Sequence, residues 1–127
     1  MKGLQPCFRR AAACVAAAFI VICAPAALAH GFMERTVPQA GSTVRGSPAE
    51  VQLWFTQGLE PAFTTVRVLD ASGKQVDRED KRVDPGDKTL LRVSLPALAP
   101  GKYRVVWRAL SADGHVTRGE FAFQVAQ

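Results

Sequence analysis

From residue 50 onward, apolar and polar residues alternate with a period of two, and Pro- or Gly-bearing turns interrupt the alternation about every ten residues. Only an extended chain puts every second side chain on one face. Val51, Leu53 and Phe55 share a face against Gln52, Trp54 and Thr56. Thr64, Val66 and Val68 repeat the pattern, as do Leu91, Val93 and Leu95. The set Tyr103, Val105, Trp107 and Ala109 follows, then Phe121, Phe123 and Val125. The turns are Asp70-Ala71-Ser72-Gly73, Asp84-Pro85-Gly86-Asp87 and Leu98-Ala99-Pro100-Gly101. Further short strands are expected over residues 33–37 and 74–78. No stretch after residue 30 carries a helical period. About seven short strands in one small unit predict an all-β fold, a single immunoglobulin-like antiparallel β-sandwich with Greek-key connections. Pro100-Gly101-Lys102-Tyr103 reads as a tyrosine corner, in which the phenol bonds back to the preceding chain. Trp107 belongs to the core side of its strand, whereas Trp54 lies on the polar side and is expected to be partly exposed.

The first 29 residues are of another kind. Lys2, Arg9 and Arg10 form a basic start, an apolar stretch runs from Ala11 to about Pro25, and Ala27-Leu28-Ala29 closes it. That is the pattern of a secretory signal peptide cut after Ala29. The apolar stretch is short for a spanning helix, so an uncleaved anchor is the lesser reading. Residues 30–127 are then the mature domain, 98 of the 127, enough for one small fold. Nothing in them approaches a membrane span.

The formal charge of +5 shrinks on cleavage. Three of the 16 basic residues lie in the leader and none of the 11 acidic ones do, which leaves 13 against 11. No stretch of sequence concentrates the positive charge, so no nucleic-acid partner is inferred. Cys7, Cys14 and Cys23 all fall in the leader. The mature chain therefore has no disulfide and no thiolate for Zn(II), Cu(I) or nucleophilic catalysis.

Cleavage after Ala29 would make His30 the first residue. Its freed amine and its Nδ1 can then chelate one ion in a six-membered ring, which a histidine inside the chain cannot do. The other histidine, His115, follows Asp113 and Gly114. Asp113 and His115 are two apart, so they share a side in an extended strand, and in a loop Gly114 lets them converge. A terminal amine, two imidazoles and a carboxylate suit the tetragonal nitrogen and oxygen environment that Cu(II) prefers. Glu34 is a minor further candidate. Against this, Asp-Gly-His is commonly a solvated turn, and a histidine after a cleavage site is an ordinary accident. Residue chemistry alone leaves both readings open. No Ser-His-Asp arrangement is present, so no hydrolase is inferred.

Several blocks resemble the CopC family of periplasmic copper-binding proteins. His30-Gly31-Phe32-Met33 followed by Val37-Pro38-Gln39-Ala40-Gly41-Ser42 is similar to the family's opening. Pro48-Ala49-Glu50-Val51-Gln52-Leu53-Trp54-Phe55 is similar to its first long strand. The most specific block runs Tyr103-Arg104-Val105-Val106-Trp107-Arg108-Ala109-Leu110-Ser111-Ala112-Asp113-Gly114-His115, then Gly119, Phe121 and Phe123. The resemblance implies a small β-sandwich, export to the periplasm and one Cu(II) per chain. It implies ligation by the amine and imidazole of His30, the Asp113 carboxylate and the His115 imidazole. It also implies a binding role rather than an enzymatic one, in copper resistance or homeostasis, beside an inner-membrane partner of the CopD type.

Two departures stand out. Many members carry Glu where this chain has Gln57, so an amide replaces a carboxylate near the expected site. The methionine-rich segment that serves Cu(I) in some members is missing, and Met33 is the only methionine after residue 29. One thioether is too few for a Cu(I) site. Competing readings are a small copper monooxygenase built on an N-terminal histidine, and a metal-free exported interaction sandwich.

Overall fold

The alternating segments pair edge to edge because each has one apolar face to bury and a full row of backbone donors and acceptors to satisfy. The computed structural model describes residues 32–127, together with Gly3. The rest of the leader, its cleavage point and His30 lie outside the described residues. Eight strands form: β1 Met33–Val37, β2 Thr43–Arg45, β3 Glu50–Phe55, β4 Thr65–Leu69, β5 Arg82–Asp84, β6 Asp87–Ser94, β7 Gly101–Leu110 and β8 Val116–Ala126. One 3₁₀ turn, Pro61–Phe63, precedes β4. No helix among the described residues is long and apolar enough to cross a membrane.

The strands make two four-stranded sheets, ordered β1-β3-β6-β5 and β2-β8-β7-β4. Only β5–β6 and β7–β8 are joined as neighbours within a sheet, and every other connection crosses the sandwich. All pairings are antiparallel except β2 with β8, which run parallel from Thr43↔Gln124 to Arg45↔Ala126. The long β7–β8 hairpin pairs from Gly101↔Val125 to Leu110↔Val116 and is the backbone of its sheet.

This is the immunoglobulin-like sandwich the alternation predicts. The inward sets are the expected ones: Val51, Leu53 and Phe55 from β3, Leu91 and Val93 from β6, and Val105, Trp107 and Ala109 from β7 all bury against Phe121 and Phe123 of β8. The Tyr103 hydroxyl donates to the Ala99 carbonyl at 2.6 Å, closing the tyrosine corner. Trp54 is half-buried on the outer face of its sheet, with the Arg35 guanidinium 3.7 Å above its ring.

Residues 74–78 do not form the expected strand. They make a single bridge, Leu69↔Gln75, and the Asp77 carboxylate takes the Val68 N–H at 2.8 Å. A side chain thus satisfies the free edge of β4 in place of a ladder. The short strands β2 and β5 appear instead.

The even spread of charge read from the sequence does not survive folding. The strands of the β1-β3-β6-β5 sheet hold four acidic and four basic residues, with Glu50 bonded to Arg82 and Arg92 at 3.2 and 3.3 Å. The strands of the other sheet hold Arg45, Arg67, Lys102, Arg104, Arg108 and Arg118, with Glu120 as their one acidic residue. Each of those cations alternates with an inward residue, so pairing places all six on one outer face. They come from four separate strands, and linear sequence does not show that they meet.

Candidate metal centre

Asp113 and His115 sit in the tip of the β7–β8 hairpin, in the five residues between Leu110 and Val116. Ser111 anchors the tip. It is 1% exposed and forms a bridge with Leu59. Its N–H donates to the His115 carbonyl at 2.9 Å, and the Gly114 N–H donates to the Ser111 carbonyl at 2.9 Å. Closing so tight a turn takes Gly114 to φ +89°, a left-handed conformation that a Cβ would strain. The Ser111 hydroxyl donates to the Asp113 carboxylate. The same hydroxyl oxygen accepts the His115 N–H at 3.2 Å. Asp113 Oδ1 also accepts that N–H, at 3.3 Å.

These bonds hold the two side chains together. Asp113 Oδ2 and His115 Nδ1 are 3.1 Å apart, with the side chains 37% and 78% exposed. The Ser111 hydroxyl, and next the His115 imidazole, lower the Asp113 pKa from its ordinary value to about 2. Asp113 is therefore an anion throughout the range in which imidazoles titrate. A fixed carboxylate beside an accessible imidazole is a ready pair of hard oxygen and nitrogen donors.

The segment after β3 supports this tip from the side. The Ala112 N–H donates to the Gly58 carbonyl at 2.8 Å, and the Glu60 N–H donates to the Leu110 carbonyl at 2.8 Å. Buried Leu59 lies between them and bonds through its N–H to the Lys88 carbonyl at 2.9 Å. Where the described chain begins, the Phe32 carbonyl accepts the Thr56 N–H at 2.9 Å. The Phe32 ring packs on Phe55 at 5.8 Å, and Phe55 packs edge-on against Trp107 at 5.3 Å. Phe32 is thus tied to the end of β3, two residues before the stretch that braces the hairpin tip.

Of the three residues expected to bind metal, the structure brings Asp113 and His115 together, and His30 falls outside the described residues. Among the described residues, no group of three His, Cys, Asp or Glu side chains converges. Gln57 is exposed beside Gly58, and Glu34 is exposed on β1. Sequence reasoning passed over Ser111 as an organiser, although Ser-x-Asp-x-His has the spacing at which a hydroxyl closes a local turn.

A profile of the CopC domain matches residues 33–126. The chain belongs to the CopC family. It is 32% identical over 106 residues to copper resistance protein C of Escherichia coli, covering 78% of this chain and 83% of that one. It is 27% identical over 110 residues to the copper transport protein CutJ of Bacillus subtilis. That match takes in 86% of this chain but spans only 20% of CutJ. Among solved structures, CopC from Methylosinus trichosporium OB3b superposes with a TM-score of 0.70 at 38% identity, covering 76% of this chain and 93% of that one. PcoC from Escherichia coli, described as a methionine-rich copper resistance protein, gives 0.63 at 31% identity, covering 75% and 97%. Both share this chain's two-sheet sandwich.

Proposed function

We propose that this CopC-family chain is an exported periplasmic protein that binds one Cu(II) and serves copper resistance or homeostasis, as a buffer or as a carrier to a CopD-like protein of the inner membrane. The ligands would be the amine and imidazole of His30, the Asp113 carboxylate and the His115 imidazole. The role is binding, not turnover. The observation that carries this reading is the Asp113–His115 pair. Two donors held side by side on a tetragonal ion, with bonds of about 2.0 Å, sit about 2.8 Å apart. The 3.1 Å between Oδ2 and Nδ1 is close to that separation. The tie between Phe32 and Thr56 supports a route by which an N-terminal donor reaches the hairpin tip.

The test is a Cu(II) titration of the chain beginning at His30, followed by tryptophan fluorescence and electron paramagnetic resonance. A version with one extra residue before His30 runs in parallel. One equivalent with a nitrogen-rich tetragonal signal, much weakened by the extra residue, is the expected result. Equal and weak binding in both versions overturns it.

A further inference from the structure

Among the described residues, the basic face described above meets one carboxylate, Glu120, and one backbone acceptor, the Phe63 carbonyl. Arg108 and Arg118 stand directly opposite each other in the β7–β8 register, and like charges so placed oppose the pairing. Glu120 faces Arg104 at 3.8 Å. Asp70, at the rim, spends its carboxylate on the Ser72 hydroxyl and on the Ser72 and Lys74 N–H groups. Residues 1–31 contain no acid that could reach the others. The six cations are all exposed, and they extend from β2 at one edge to β4 at the other. With strands about 4.8 Å apart, that is a platform about 14 Å across. One end of the platform is apolar. Val116 is 45% exposed opposite Leu110, and Phe63 is 60% exposed in the turn before β4. Arg108 Nη1 donates to the Phe63 carbonyl at 3.0 Å, so the aromatic end and the cationic rows are one surface.

Arg67, Arg108 and Arg118 border one shallow hollow of this face and Lys102 and Arg104 another, so the cations together span the sheet and match a broad surface of diffuse negative charge. Guanidinium groups suit phosphate in particular. An exposed aromatic at the margin suits the boundary between headgroups and acyl chains. We propose that the outer face of the β2-β8-β7-β4 sheet docks on a lipid bilayer bearing anionic phosphate headgroups, with Phe63 entering the interface at the end nearest the Asp113–His115 tip. This inference does not depend on the copper reading, and its test is run without metal.

Residues 30–127, which contain the whole two-sheet fold, are sedimented in the presence of chelator with vesicles of phosphatidylcholine, or of phosphatidylcholine with phosphatidylglycerol. Binding is expected only to the anionic vesicles and is expected to weaken as salt is raised. Arg118→Glu and Arg67→Glu should each lower the partition constant about fivefold or more, whereas Lys88→Glu, on the opposite sheet, should stay within about twofold. Phe63→Ser should weaken binding without changing its salt dependence. Circular dichroism checks that each variant keeps the fold. Equal binding to both vesicle types overturns the proposal, as does an equal loss in Lys88→Glu. Retention on polyglutamate or duplex DNA without vesicle binding assigns the face to another polyanion and likewise overturns it.

Discussion

At Ser111 one buried hydroxyl holds both donors of the candidate centre, donating a hydrogen bond to Asp113 and accepting the His115 N–H. Ser111→Ala removes both bonds and leaves Asp113 with the His115 imidazole as its main partner. The variant should unfold at lower urea, with a loss of about 1–2 kcal/mol and an unchanged denaturant slope. The Asp113 pKa should also rise from about 2 toward the ordinary carboxylate range, because its largest lowering cause is gone. A carboxyl-detected NMR titration checks that shift, and an Asp113 that still titrates near its present value refutes the role given to Ser111. The closeness of Asp113 and His115 was legible in the sequence because residues two apart around a glycine can converge. Ser111 was not, because its action depends on a five-residue turn whose closure follows from the hairpin register and from the bond between Ala112 and Gly58.

At the level of strands, the period of two was a sufficient guide wherever one face is fully buried. β3, β6, β7 and β8 each place their predicted inward residues in the core. It failed for elements of three residues. β2 and β5 are too short to show a period, and β2 exists because its partner β8 offers a free edge, a fact of tertiary structure. Residues 74–78 present the converse. Val76 packs inward and its N–H reaches the Val68 carbonyl at 2.8 Å, but the Asp77 side chain replaces the next ladder bond. The tyrosine corner is the element-scale feature most open to test. Tyr103→Phe deletes the 2.6 Å bond to Ala99 and leaves a carbonyl short of a partner where the chain enters β7. A loss of about 1–3 kcal/mol is expected in chemical unfolding, with the Asp113–His115 tip unchanged by NMR because it lies at the far end of β7. A variant as stable as the parent shows that the corner does not hold β7 in place.

Over the whole molecule, folding sorts charge in a way the linear order hides: one sheet is balanced, and the other carries six cations against one carboxylate. Such a molecule depends on its remaining carboxylates being ionised. Asp70, Asp80 and Asp87 all have lowered pKa values, each chiefly through a side-chain hydrogen bond, from Ser72, Ser94 and Thr89 respectively. A carboxylate whose pKa is lower in the folded than in the unfolded chain stabilises the fold above its unfolded pKa. That contribution is lost as the pH falls through the folded value. The unfolded value is about 4, so the thermal midpoint should be level from neutral pH to about pH 4 and fall below it. Protonation also removes the negative charge that offsets the basic sheet, so added salt should recover part of the loss by screening. Asp80→Asn should lower the midpoint at neutral pH and make the acid slope shallower, since its bond to the Ser94 N–H, 2.8 Å long, no longer involves an ionised acceptor. Scanning calorimetry across this range decides the matter. A midpoint unchanged well below pH 4 means that these aspartates keep the same pKa in the folded and unfolded chain, and that turn carboxylates do not govern the acid stability of this sandwich.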